Sequence, residues 1–231
     1  MMELEERGRP VQASAVKKLY IYGSLTIMCA VLAWLFAFAH DQVLLHLQIL
    51  IPFSFVSLGI LIKYGDESFD ADCFDRRKAK ALAVPCGLWM GLLIFVDPDS
   101  ATIFVGLLLA LLVAAKYDNA AFKASFVVAA LFALLSFIYF PENMSYLGVI
   151  VVFIAAFLDE KLSDMADRKG GRGVKWVIMR QRPVLKIAIL ALCVVGVLSS
   201  YLYLFAFLGF DFGYSFVESY AQYRGCRAAP S

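Results

Sequence analysis

Two short segments of the sequence concentrate carboxylates. Five fall within residues 66–75 and four within residues 159–167, and each segment directly follows a long uncharged apolar run. The nine residues are Asp66, Glu67, Asp70, Asp72, Asp75, Asp159, Glu160, Asp164 and Asp167. Side chains of this type, grouped beyond two helix ends, are suited to bind cations.

The spacing within each segment predicts carboxylates that share one helix face. If the helices continue past the apolar runs, Asp66/Asp70 and Glu160/Asp164 are pairs four residues apart. Like charges so placed repel unless a cation lies between them. Mg²⁺ fits because it takes one or two carboxylates and shares its other positions with water and substrate phosphates. The expected Mg²⁺ ligands are Asp66, Glu67, Asp70, Asp159, Glu160, Asp164 and Asp167.

An alternative is that both segments are solvated and perform no chemistry. Basic residues lie close to the acids in sequence and would then neutralise them. They are Arg76, Arg77, Lys78, Lys161, Arg168 and Lys169. The sequence leaves both interpretations open.

The rest of the chain is strongly apolar, which indicates that lipid and not water surrounds it. Of 231 residues, 62% are hydrophobic and 17% are charged, and the mean hydropathy is +0.77. Seven runs without Lys, Arg, Asp or Glu are long enough to cross a bilayer or nearly so. They are 19–40, 43–62, 81–96, 101–115, 124–140, 144–158 and 187–210. We therefore predict an all-α, polytopic transmembrane bundle of about seven spans, with no removable signal peptide and no disulfide.

The basic residues predict the orientation of this bundle. Of the 21 Lys and Arg residues, 19 lie in the N-terminal arm or in segments 63–80, 116–123 and 159–186, which seven spans place on one side. The positive-inside rule makes that side cytoplasmic, so the N-terminus and the acidic segments face the cytoplasm of a cell membrane. Residues 1–18 form a polar arm, residues 19–210 the transmembrane domain, and residues 211–231 a C-terminal tail along the outer interface. A net charge of +2 gives no sign of nucleic-acid binding, and no protein partner is assigned.

Three motifs resemble those of the UbiA-type intramembrane prenyltransferases. That family has an acidic motif after its second helix, a Tyr and basic motif after its fourth, and a second acidic motif after its sixth. Segments 66–75, 117–123 and 159–169 occupy the same ordinal positions here. The family usually has eight or nine helices, against the seven runs counted in this chain.

The resemblance implies an activity and roles for individual residues. Mg²⁺ held by the two acidic segments would bridge an isoprenyl diphosphate, whose prenyl group would pass to a lipophilic acceptor in the membrane. Asp66, Asp70, Asp164 and Asp167 would be the catalytic carboxylates. The substrate would contact Phe69, Tyr117, Phe122, Lys123, Arg168 and Lys175.

Other membrane functions remain in competition with this one. A transporter usually places ionisable residues within the membrane, and none of the seven runs contains a Lys, Arg, Asp or Glu. An intramembrane aspartyl protease meets the same objection, and the Gly- and Arg-containing spacing of a CDP-alcohol phosphotransferase is missing. A non-catalytic protein that keeps the fold and binds a membrane lipid is a further alternative.

Overall fold

In a computed structural model, residues 2–40, 45–70, 73–114, 120–169, 179 and 181–224 are described, with some side chains at the ends of these ranges left out. Eight α-helices account for nearly all of this part of the chain. They are α1 (Met2–His40), α2 (Leu45–Asp70), α3 (Arg76–Val96), α4 (Pro98–Val113), α5 (Ala120–Tyr139), α6 (Tyr146–Lys169), α7 (Pro183–Val194) and α8 (Leu202–Tyr223). The prediction of an all-helical fold is confirmed.

The apolar helices suggest a protein embedded in a membrane. Within the described residues, the segments Tyr20–Ala39, His46–Phe69, Arg76–Val96 and Phe122–Tyr139 are long and apolar enough to span one. Large apolar side chains such as Leu32, Leu134 and Ile187 are exposed on the bundle's outer surface. A surface of this kind is stable against lipid and would aggregate in water.

The predicted seventh span is two helices and not one. Helix α7 has 12 residues, about 18 Å of rise, and ends in a turn that contains Gly196 at a φ of 77°. Positive φ strains residues with a Cβ, so glycine favours the break at this point. Helix α8 then runs back through Asp211 to Tyr223. The residues taken as the start of a C-terminal tail are therefore part of the bundle, with Asp211, Val217 and Ala221 buried.

Six helices close a ring. Each packs against the next in the order α2, α3, α4, α6, α7, α8, and α8 returns to α2, while α1 packs against α8 and α5 against α3. Phe55, Phe104 and Phe210 meet across the ring, with centroids 4.6 Å apart for Phe55–Phe104 and 6.2 Å for Phe104–Phe210. These three rings fill the interior at mid-height.

One end of the ring is closed by hydrogen bonds. Asp97 caps α4 by accepting from the Ser100 N–H, and its other oxygen accepts from the Tyr203 hydroxyl at 2.7 Å. Asp99 accepts from both the backbone N–H and the hydroxyl of Ser199. These contacts hold Ser199, in the turn before α8, and Tyr203, in the first turn of α8, against the α3–α4 turn. We call this the closed end and the other the open end.

The prediction that the chain has no disulfide is wrong. Cys73, between α2 and α3 at the open end, is disulfide-bonded. Cys29, Cys86 and Cys193 are free, so the partner of Cys73 lies outside the described residues. A sequence gives no signal for such a pairing when the two cysteines are far apart in the chain.

Glycines allow the helices of the ring to approach closely. A Cβ on Gly59 of α2 would lie 2.2 Å from the carbonyl oxygen of Phe210 on α8, and one on Gly213 of α8 would lie 2.7 Å from the carbonyl oxygen of Val56. Small residues at such contacts permit the dispersion interactions that hold helices together in lipid. The close packing of α2 against α8 therefore requires glycine at positions 59 and 213.

Gly59→Ala should destabilise the bundle by about 1–3 kcal/mol, because the obstructing atom is backbone and α8 must shift to make room. Thermal unfolding in detergent micelles measures the effect. Gly65→Ala is the matched control on the same helix, where an added Cβ meets nothing within 4 Å and stability should stay equal or rise. Equal melting temperatures for the two variants would contradict this account of the contact.

Candidate functional site

The open end of the ring contains a cavity of about 260 Å³. All six ring helices contribute to its wall, and Phe104 and Phe210 form part of its apolar floor. Within the described part of the chain, its polar lining is Lys63, Asp66, Glu160, Arg182 and Tyr214. The cavity therefore combines an apolar interior with two carboxylates, two cations and one phenol.

The two acidic segments each contribute one carboxylate to this cavity. Helix α2 continues past its apolar run to Asp70, and α6 continues past Leu158 to Lys169, as the sequence predicts. Asp66 and Glu160 lie on the faces of these extensions that turn into the ring. They are 94 positions apart in the chain, and the ring brings them to one cavity.

Two other acids of the predicted ligand set have protein partners. Glu67 is buried and forms an ion pair with Lys63, with Nζ and Oε1 3.1 Å apart. Asp159 is buried and accepts from the backbone N–H groups of Val184 at 3.0 Å and Leu185 at 2.7 Å. Since the first N–H groups of a helix lack partners within it, Asp159 caps the start of α7 from another helix.

The remaining predicted residues are placed as follows. Asp164 is partly buried on α6, away from the cavity lining. Asp70, Asp167 and Arg168 lie in helices, but their side chains are outside the described part of the chain, as are Tyr117 and Lys175 altogether. Phe122 lines the cavity. Lys123 is exposed on α5, and Phe69 lies under the Arg76 guanidinium, 5.7 Å from its ring centroid.

Both cations of the cavity are absent from the set that the sequence predicts. Lys63 is the first charge after the second apolar run, and Arg182 immediately precedes Pro183 at the start of α7. The position of Lys63 at the end of an apolar run is a signal that could have indicated it, whereas Lys186 lies between Arg182 and the last run. Tyr214 was missed because residues 211–231 are predicted to form a tail.

The backbone at Arg182 is held in an unusual conformation. Its φ of 50° and ψ of 55° lie in the left-handed region, which is uncommon for residues other than glycine. Burial alone would lower the pKa of the Arg182 guanidinium, but Tyr214, Glu160 and Asp211 raise it above its ordinary value. The side chain therefore carries its positive charge at the cavity wall.

A smaller apolar pocket of about 50 Å³ adjoins the cavity between α2, α3 and α5. Asp66, Met90, Leu108 and Phe122 line both spaces. Apart from Asp66, its wall consists of apolar side chains with the small polar groups of Cys86 and Ser125. Apolar space thus continues from the charged cavity toward the outer helix α5.

An ion pair also connects two neighbouring helices of the ring. Lys186 of α7 and Asp211 of α8 are 2.7 Å apart, and both side chains are largely buried. The apolar runs contain no charge, but the helices extend beyond those runs and do contain charges. The objection to a transporter drawn from uncharged spans therefore does not hold.

The residues that the structure describes contain no group of three or more His, Cys, Asp or Glu placed to hold a metal ion. A fully protein-ligated site is thus not formed by them. Asp66 and Glu160 fit the other arrangement open to Mg²⁺, in which one or two carboxylates share the ion with substrate phosphates.

Comparison of the chain with protein family models, with curated proteins and with solved structures gives no match.

Asp159→Ala should lower the free energy of unfolding by about 1–3 kcal/mol without added Mg²⁺, because two buried N–H groups lose their acceptor. Asp159→Asn keeps one accepting oxygen and should lose less. Denaturation in detergent measures both. Lys161→Ala is the control, an exposed position two residues along α6 where the change should stay within about 0.5 kcal/mol. An unchanged stability in Asp159→Ala would mean that the cap is dispensable.

Proposed function

We propose that this chain is a multi-pass membrane protein that binds an isoprenyl diphosphate with Mg²⁺ in the open-end cavity and transfers the isoprenyl group to a lipophilic acceptor. The observation that carries the proposal is the presence of Asp66 and Glu160, from two distant acidic segments, in one cavity with Lys63 and Arg182. The motif resemblance to UbiA-type prenyltransferases and the ring of helices around a cavity support it.

The charge of the cavity lining favours a ligand that arrives with its own cation. Among the residues that the structure describes, two positive and two negative side chains line the cavity, and their formal charges cancel. A diphosphate carries two or three negative charges, and a neutral site in a low-dielectric bundle does not compensate them. A diphosphate accompanied by Mg²⁺ is close to neutral, which matches the lining.

The roles of the individual residues follow from their chemistry. Asp66 and Glu160 would hold Mg²⁺, which when bound neutralises charge on a leaving diphosphate. Lys63 and Arg182 would bind phosphate oxygens, and a guanidinium can do so with two parallel hydrogen bonds. Phe122, between the cavity and the apolar pocket, would present a ring face to an allylic carbon that becomes positively charged.

The apolar surroundings suit the rest of such a substrate. The floor formed by Phe104 and Phe210 would keep water away from the reacting carbon. The apolar pocket beside Phe122 would take the first part of the isoprenoid chain, and the remainder would lie between helices or in lipid. These contacts require a ligand with a charged head and an apolar tail.

Solute transport is a second candidate, and the Lys186–Asp211 ion pair favours it. Ionisable residues inside a membrane bundle often mark an ion or proton pathway. Transport predicts solute movement across liposomes without any diphosphate requirement. The prenyltransferase proposal predicts binding that depends on both diphosphate and Mg²⁺.

We further propose that the open end faces the cytoplasm, with the start of α1 and the end of α8 on that side. In an eight-helix bundle Arg224, just after α8, lies at the open end with most of the other basic residues. Phe74 and Tyr220 stack with centroids 6.2 Å apart, which places the end of α8 beside the α2–α3 connection. This arrangement follows the positive-inside rule more completely than seven spans do.

Asp66→Asn and Glu160→Gln should each weaken Mg²⁺-dependent binding of geranylgeranyl diphosphate by about tenfold or more, because each removes one negative ligand. Isothermal titration in detergent, with and without Mg²⁺, measures the affinity. Glu142→Gln, in the turn at the closed end, is the control and should bind as wild type. Wild-type affinity in both cavity variants would exclude the proposed site.

Single cysteines should report the orientation. In a variant without native cysteines, a cysteine replacing the exposed Glu142 should react with an impermeant maleimide in intact cells, and one replacing the exposed Lys123 only after permeabilisation. The reverse pattern would place the open end in an extracytoplasmic compartment. There the disulfide at Cys73 would be stable, since disulfides persist mainly in oxidising surroundings.

A further inference from the structure

Both cations of the cavity contact the ring of Tyr214. Lys63 Nζ is 4.7 Å from the ring centroid and 3.5 Å from the phenol oxygen. The guanidinium carbon of Arg182 is 5.0 Å from the same centroid. One aromatic side chain therefore contacts both positive charges, which come from α2 and from the residue before α7.

Two cations on one wall of an apolar cavity repel each other, so an attractive interaction must hold them together. The face of an aromatic ring attracts a cation through its quadrupole, more strongly where water is excluded. Glu67 compensates the charge of Lys63 from one turn further along α2. Within the cavity lining, Tyr214 is the group that contacts both Lys63 and Arg182 without cancelling their charges.

We propose that Tyr214 is a positioning residue that holds Lys63 and Arg182 together as one phosphate-binding pair. This inference rests on the proposed function, since it assigns the pair to the diphosphate of the ligand. A carboxylate at this position would hold the cations equally well but would repel phosphate. A phenol keeps their charge available to an anionic group.

The backbone supports the same arrangement. Arg182 is fixed between its left-handed conformation and Pro183, and Asp159 fixes the first turn of α7 that follows. The guanidinium therefore approaches the ring of Tyr214 from a constrained position. Lys63 carries its ammonium on a flexible four-carbon stem, so its placement should depend more on the ring and its hydroxyl than that of Arg182 does.

The test compares ligands that share a tail and differ in the head. Binding of geranylgeranyl diphosphate with Mg²⁺ and of the neutral alcohol geranylgeraniol is measured for wild type, Tyr214→Leu, Tyr214→Met and Tyr214→Phe. The ringless variants should bind the diphosphate about tenfold more weakly and the alcohol unchanged, while Tyr214→Phe, which keeps the ring, should stay within about threefold. Thermal unfolding verifies that each variant is folded.

Tyr220→Leu is the matched control. Tyr220 lies on the same helix and also contacts a cation, with the Arg224 guanidinium carbon 4.9 Å from its ring centroid, but it does not line the cavity. This variant should bind both ligands as wild type does.

The outcomes separate the two proposals. Ringless variants that bind the diphosphate as wild type does would overturn the role of Tyr214, as would an equal loss for both ligands or loss of the fold in both ringless variants. A wild-type protein with no preference for the diphosphate over the alcohol would instead overturn the proposed function itself.

Discussion

The pairing of charges inside an apolar bundle is the constraint on which this structure depends. Lipid offers no partner to a charged side chain, so each charge must find one within the protein or at its edge. Lys63 with Glu67, Lys186 with Asp211, and Asp159 with the start of α7 meet this requirement. All three connections lie toward the open end, which explains why the ring can hold a polar cavity there.

The two ends of the ring have opposite characters. At the closed end Asp97 accepts from the Tyr203 hydroxyl and Asp99 from the backbone N–H and hydroxyl of Ser199. The aromatic rings of Phe55, Phe104 and Phe210 fill the interior next to this end. At the open end the α2 and α6 extensions carry charge beyond the apolar runs. A ligand with a charged head and an apolar tail matches this gradient along the axis.

The acidic segments divide their carboxylates between structural contacts and the cavity lining. Neighbouring residues of one helix point about 100° apart, so Glu160 reaches the cavity while Asp159 turns to α7. The same division separates Asp66, in the cavity, from Glu67, which pairs with Lys63. A cluster that looks uniform in sequence thus contains structural carboxylates beside those that line the cavity.

The helical class, most helix positions, the apolar surface and the two charged extensions can be predicted from the sequence, because hydropathy and charge are local properties of the chain. The sequence also indicates Asp66, Glu160 and Phe122 as residues of interest. The division of residues 187–223 into two helices around Gly196, and the wall shared by Lys63, Arg182 and Tyr214, are apparent only in the folded structure. Those features depend on which helices are neighbours in the ring. The order of the helices is decided by contacts between residues that are remote in sequence, such as Gly59 against the backbone of Phe210.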